Sequence, residues 1–208
     1  MKKKIAVLIS GGGSNLQSII DSMESGYIQT KISVVVSNKE EAYGLTRARN
    51  HGIPTEIIRH GDYQSREAFE ARLIEILDGY GSELVILAGF MRVLTPFFVN
   101  HYHHRIINIH PALLPSFPGT HGQKQALDYG VRFSGCTTHF VDEGTDTGPI
   151  IIQAVVPVLP EDTEESLGSR ILKEEHRIFP ESIKLWSEGR LQIEGRRVRI
   201  LPRNSTED

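Results

Sequence analysis

Four short apolar runs, separated by segments of helical periodicity, constrain this chain more than any other feature. KKIAVLIS is a continuous apolar run behind a lysine patch, the pattern of a strand buried on both faces of a parallel sheet. GGGSN interrupts it. Leu16, Ile19, Ile20 and Met23 then fall at i, i+3, i+4 and i+7, one face of a helix, and Gly26 suits its end. KISVVVSN predicts a second strand, Leu45 to Asn50 a short helix, and Ile53 to Ile58 a third strand. In SREAFEARLIEILDGYG, Ser65 is a candidate N-cap, Phe69, Leu73, Ile76 and Leu77 form the stripe, and Gly79 ends it. LVILAG predicts a fourth strand. This β-α-β-α-β-α-β order, with short connections, predicts a Rossmann-like α/β fold. Its sheet is mostly parallel and twisted, with helices on both faces.

The second half reads differently. IINIH, FSGCTTHFVD and PIIIQAVVPVL are three further strand candidates, and the last two are long and joined by a polar turn. Antiparallel pairing is therefore expected in the C-terminal half. A last helix is predicted from about Thr163 to Trp186, kinked where it meets Pro180. The polar tail from Arg203 to Asp208 is expected to fray. At roughly 150 residues per domain, 208 residues predict one domain spanning 1–208.

Composition excludes several classes. With 23 basic and 26 acidic residues the net charge is −3, so no polybasic footprint for nucleic acid exists. The single cysteine, Cys136, excludes an intrachain disulfide framework and a cysteine-based zinc cluster, and fits a reducing compartment. The first apolar run, Ile5 to Ile9, is shorter than the ~7 to 15 residues of a signal-peptide core. Leu84 to Met91 is far below the ~18 residues of a membrane span. The expectation is a cytoplasmic protein with no membrane partner.

Chemistry concentrates at four places. Gly11-Gly12-Gly13-Ser14-Asn15 stands between the first strand and the first helix, where backbone N–H groups and the helix dipole can meet an anion. Leu16 replaces the third glycine of a dinucleotide fingerprint, and Ser37-Asn38-Lys39 lacks an acid for a ribose. A monophosphate is the expected ligand; a plain tight turn also uses such glycines. Asn108-Ile109-His110-Pro111 closes a strand, with Asn108 and His110 on one side of it by alternation. An amide donor beside an imidazole suits oxyanion stabilisation and proton transfer. The same pair could instead bond the proline-rich loop PALLPSFPGTHG. Asp142 to Pro149 is an acidic turn with two glycines, and an aspartate from it could pair with His110; a solvated hairpin turn is the alternative. Glu174 and Glu175 border the apolar stripe of the last helix, and spacing does not choose between them. The nine histidines follow no zinc spacing, so no metal is expected, and HYHH at 101–104 reads as a solvated helix end.

GGGSNLQSII, LAGFMRVL, INIHPALLPSFPG and THFVDEGTDTGPII, in this order and spacing, resemble the phosphoribosylglycinamide formyltransferase family of the formyltransferase superfamily. The resemblance covers residues 4 to 192. It implies one formyltransferase domain, with 1–90 as the ribonucleotide half and 91–192 as the catalytic and folate half. The reaction it implies moves the formyl group of 10-formyltetrahydrofolate, a co-substrate, to the primary amine of glycinamide ribonucleotide. Asn108, His110 and Asp146 would be catalytic. Gly13, Ser14, Asn15 and Glu175 would hold the ribonucleotide. Arg66, Met91, Arg92, Val93, Leu94, Asn108 and the loop Asp142, Glu143, Gly144, Thr145, Asp146 would line the folate site. Leu172 stands where the family often has a polar residue.

The rivals are formyltransferases acting on an aminoacyl-tRNA or a sugar amine, and a formyltetrahydrofolate hydrolase. The tRNA enzyme would be expected to carry an additional C-terminal domain and a basic surface, and the hydrolase an extra N-terminal regulatory domain. A non-catalytic nucleotide-binding module would leave Asn108, His110 and Asp146 far apart.

Overall fold

The computed structural model describes residues 2–203. Its elements are β1 (Lys4–Ile9), α1 (Ser14–Glu24), β2 (Lys31–Ser37), α2 (Tyr43–Asn50), β3 (Thr55–Ile57), α3 (Arg66–Gly79), β4 (Leu84–Leu87), α4 (Pro96–His101), β5 (Ile106–His110), α5 (Gly122–Tyr129), β6 (Phe133–Phe140), β7 (Ile150–Pro157), α6 (Glu164–Ser187), β8 (Leu191–Glu194) and β9 (Arg197–Ile200). The strands form one nine-stranded sheet in the order β3-β2-β1-β4-β5-β6-β7-β9-β8. β1 to β5 pair in parallel, as the alternating pattern predicts. β6 pairs antiparallel with β5 and with β7, and β8 with β9.

Strand alternation divides the core into two layers. Ile5, Val7 and Ile9 face α1, α2 and α6, through Leu16, Ile19, Leu45, Ile171 and Phe179. Ala6 and Leu8 face α3 and α4, through Phe69, Leu73, Leu77, Phe98 and Tyr102. Each such buried side chain contributes about 1.5–3 kcal/mol by leaving water. From β1 the chain winds outward to β3, then returns to the other side of β1 as β4. That reversal opens a crevice beyond the carboxyl ends of β1 and β4, where open α/β sheets take ligands.

Two expectations change. HYHH is not wholly solvated: Tyr102 is fully buried, and its hydroxyl donates to Asp78 at 2.7 Å. Pro180 falls inside α6, which runs from Glu164 to Ser187, and leaves the His176 carbonyl without its usual donor. α4, α5 and the β8–β9 hairpin are additions. Within the expected tail, Arg203 donates to Glu188 at 3.2 Å, and the rest lies outside the described residues. No helix among the described residues is long and apolar enough to cross a membrane.

Candidate active site

The glycine loop leaves β1 at the crevice and turns directly into α1. Gly13 is the residue before the helix and adopts φ 71°, left-handed backbone. A Cβ there would lie 2.7 Å from the Gly44 Cα, so close approach and conformation both demand glycine. Ser14 and Asn15 form the first turn. Asn15 Nδ2 donates to Glu175 Oε2 at 2.8 Å, joining α1 to α6. Glu175 is buried, whereas Glu174 pairs with Arg177 at the surface, which separates the two acids that spacing left open. Burial pushes the Glu175 carboxyl above its ordinary range, against the opposing effect of Asn15. Two buried polar atoms here, Asn15 Oδ1 and His176 Nε2, have no hydrogen-bond partner among the described residues.

The segment after β4 forms the opposite wall. Ser10 Oγ donates to Asn38 Oδ1 at 2.6 Å and accepts from the Met91 N–H at 2.8 Å, tying the ends of β1, β2 and β4 together. Met91 and Val93 are exposed and Arg92 half-buried, while Leu94 packs into the core. Arg66, at the start of α3, donates to the Val93 carbonyl. Glu70 is buried and accepts from both the N–H and the hydroxyl of Thr95. Sequence reasoning missed Glu70, although its place at i with Leu73 at i+3 and Leu77 at i+7 puts it on the apolar stripe.

Asn108, His110 and Asp146 converge. His110 Nδ1 lies 3.3 Å from Asp146 Oδ2, and Asn108 Nδ2 lies 3.5 Å from Asp146 Oδ1. The Asp146 side chain is only 13% exposed, and its left-handed backbone, φ 55°, aims it inward from the turn between β6 and β7. Gly119 N–H donates to Asp146 Oδ2 at 2.8 Å, so the proline-rich loop closes on the same carboxylate. Burial raises the Asp146 carboxyl, but His139, Gly119 and His110 together outweigh it and hold the group below its ordinary range. His110 does not present a free donor. Its Nε2 bonds the Phe117 carbonyl at 2.8 Å, so both ring nitrogens face acceptors.

A fourth residue belongs to the cluster. His139, on β6 directly opposite Asn108, places Nε2 3.2 Å from Asn108 Nδ2 and 3.6 Å from Asp146 Oδ1. Its Nδ1 donates to the Phe140 carbonyl at 2.9 Å, which leaves Nε2 facing both Asn108 and Asp146. Asn108 Nδ2 thus lies within reach of both His139 and Asp146. The cross-strand partnership depends on β5–β6 register, which one strand's own pattern does not reveal. The loop at 142–146 is braced as well. Asp142 Oδ1 accepts from the Thr147 hydroxyl at 2.6 Å and the Gly144 N–H at 3.2 Å, and Asn100 Nδ2 donates to Glu143 at 3.0 Å. Thr145 is exposed. Among the described residues no group of three or more His, Cys, Asp or Glu side chains is arranged to hold a metal ion.

The arrangement offers amide and imidazole donors beside a low-pKa carboxylate, across a crevice from an open glycine loop. Comparison with known proteins places the chain among relatives. The formyl transferase family model matches residues 3–183. Phosphoribosylglycinamide formyltransferase of Escherichia coli (strain K12) is 47% identical over 189 residues, which is 91% of this chain and 89% of that protein. The trifunctional purine biosynthetic protein adenosine-3 of Drosophila melanogaster is 50% identical over 190 residues, and the chain spans only 14% of its length. Among solved structures, glycinamide ribonucleotide transformylase 1 from Symbiobacterium toebii is 54% identical with a TM-score of 0.95, covering 97% of this chain and 95% of that one.

Proposed function

The chain belongs to the formyl transferase family, on its phosphoribosylglycinamide formyltransferase branch, and from that premise we propose how its residues carry the reaction. The reaction is transfer of the formyl group of 10-formyltetrahydrofolate to the primary amine of glycinamide ribonucleotide, a step of purine synthesis, in the cytoplasm. Residues 1–90 supply the ribonucleotide side and 91–192 the folate and the chemistry. The observation that carries this reading is the convergence of Asp146 with Asn108 and His110, which lie together on β5 and far from it along the chain.

The phosphate sits on the glycine loop at Gly13, Ser14 and Asn15, and Glu175 faces the substrate's amine side. Folate lies along Met91 to Leu94 and Arg66, closed by the loop from Asp142 to Asp146. The amine nitrogen attacks the formyl carbon, and the carbonyl electron pair moves onto its oxygen. Asn108 donates to that oxyanion with the amide hydrogen that otherwise faces Asp146 at 3.5 Å, so that contact gives way. Protonated His110 is the second donor, which requires the Phe117 carbonyl to give way at Nε2. One such donor is worth ~2.7–4 kcal/mol of the barrier. Asp146 then orders a water that carries the ammonium proton to the folate nitrogen. The bond between formyl carbon and folate nitrogen breaks, and tetrahydrofolate leaves.

The test is direct. The protein is incubated with 10-formyltetrahydrofolate and glycinamide ribonucleotide, a sugar amine, or water alone, and the formylated product is identified. Formylation of the ribonucleotide amine is expected; formate as sole product would replace this reading with hydrolysis. Because both oxyanion donors are side chains, turnover is expected to be unchanged by EDTA, and loss with the chelator would contradict the scheme.

A further inference from the structure

We propose that Arg47, on α2, is a positioning residue for the substrate's phosphate: it holds the glycine loop with its N–H groups turned into the crevice. The inference rests on the reading that this loop takes the phosphate, and it names what gives the loop its shape.

A glycine triplet has no side chains to fix it, and a Cβ at Gly11 or Gly12 would meet nothing within 4 Å. Its conformation must be imposed from outside. Two bonds from α2 do so. The Gly44 N–H donates to the Gly11 carbonyl at 3.0 Å, and Arg47 Nε donates to the Gly12 carbonyl at 2.9 Å. In a trans peptide the carbonyl of one residue and the N–H of the next point in opposite directions. Drawing the Gly11 and Gly12 carbonyls towards α2 therefore turns the Gly12 and Gly13 N–H groups away from it. Those two donors join the open N–H groups of the first turn of α1, which makes a concave anion site.

Arg47 is itself held in place. Its Nη1 donates to Gln17 Oε1 at 3.2 Å, one turn into α1, and its guanidinium lies 5.0 Å from the Tyr43 ring centre. The α2 backbone reaches the loop because Gly44 is also a glycine: a Cβ there would lie 3.3 Å from the Gly13 Cα. Arg47 thus acts through the Gly12 carbonyl, as a strut, and its charge is secondary to its hydrogen bond.

Three variants separate bond from charge. Arg47→Met loses both, Arg47→Gln keeps an amide donor without charge, and Arg47→Lys keeps the charge without the planar fork. For each, kcat and both KM values are measured with glycinamide ribonucleotide and with the phosphate-free glycinamide riboside, alongside Tm. In Arg47→Met we expect ribonucleotide KM to rise about tenfold, with kcat, folate KM and riboside KM close to wild type. Arg47→Gln is expected to recover most of the loss. Recovery by Arg47→Lys alone would make the charge a direct phosphate contact and overturn the strut. Equal losses for ribonucleotide and riboside would overturn it too, as general damage. If Arg47→Met fails to fold, the Gln and Lys variants decide by the same comparison. Wild-type protein using the riboside as well as the ribonucleotide would instead remove the phosphate reading of the loop, and the strut with it.

Discussion

At the scale of single residues, Asp146 is the most exposed to test. Its carboxylate touches His110, His139 and the Gly119 N–H together, so it orders the ring and the loop at once. Asp146→Asn preserves shape and removes charge. We expect kcat to fall on the order of 10² or more, the range of general acid–base contributions, with an unchanged circular dichroism spectrum. Turnover near wild type would take Asp146 out of the mechanism. Asn108 and His110 draw notice because they sit two apart on a strand, and the acidic, glycine-rich loop offers an aspartate to pair with His110; that the aspartate is Asp146, and that the three are catalytic, follows only from the family resemblance. His139 and Glu70 were not legible in the sequence. A histidine on a strand and an acid on a helix have ordinary surface explanations, and only register and burial remove them. The Phe117 carbonyl on His110 was beyond reach altogether, since it depends on how an eleven-residue irregular loop folds back.

At the scale of elements, α6 shows how local chemistry sets a remote side chain. Thr163 caps it: Thr163 Oγ1 accepts from the Ser166 N–H at 3.2 Å, and Ser166 Oγ accepts from the Thr163 N–H at 3.0 Å. Just before the cap, Asp162 takes Arg170 in two bonds of 2.7 and 2.8 Å, and that guanidinium holds its carboxyl well below the ordinary range. The helix phase fixed by this end carries Leu167, Ile171 and Glu175 to the buried side. Thr163→Ala should cost about 0.5–2 kcal/mol of stability, the usual loss of a helix cap. Urea denaturation measures it, and a midpoint equal to wild type would mean the Asp162–Arg170 pair sets the end alone. Strands with continuous apolar runs and helices with a clear stripe were readable in the sequence. α5 and the β8–β9 hairpin were not. GQKQALDY buries only Gly122 and Ala126, LQIE alternates half-buried with exposed positions, and RVRI is exposed but for a half-buried Val198, so each leaves little apolar signal.

At the scale of the whole molecule, the charges of the candidate site leave opposite marks on stability. Asp146 has a folded pKa below the unfolded value of ~3.9. Its contribution is therefore present above that value and is lost as pH falls through the folded pKa. Glu175 has a folded pKa above the unfolded value of ~4.3, because burial disfavours its charge. Its contribution is complete below that value and disappears as pH rises through the folded pKa. The two carboxyls share a site but pull the stability curve in opposite directions. Denaturation midpoints of wild type, Asp146→Asn and Glu175→Gln, from about pH 3 to about pH 7, resolve them. Relative to wild type, Glu175→Gln should gain stability as pH rises through that window, because the amide has no charge to bury. Asp146→Asn should lose it over the same rise, because the pairing with His110, His139 and Gly119 is gone. Parallel curves for all three proteins would mean that neither carboxyl differs between folded and unfolded chain, and the electrostatic account of the crevice would fall with them.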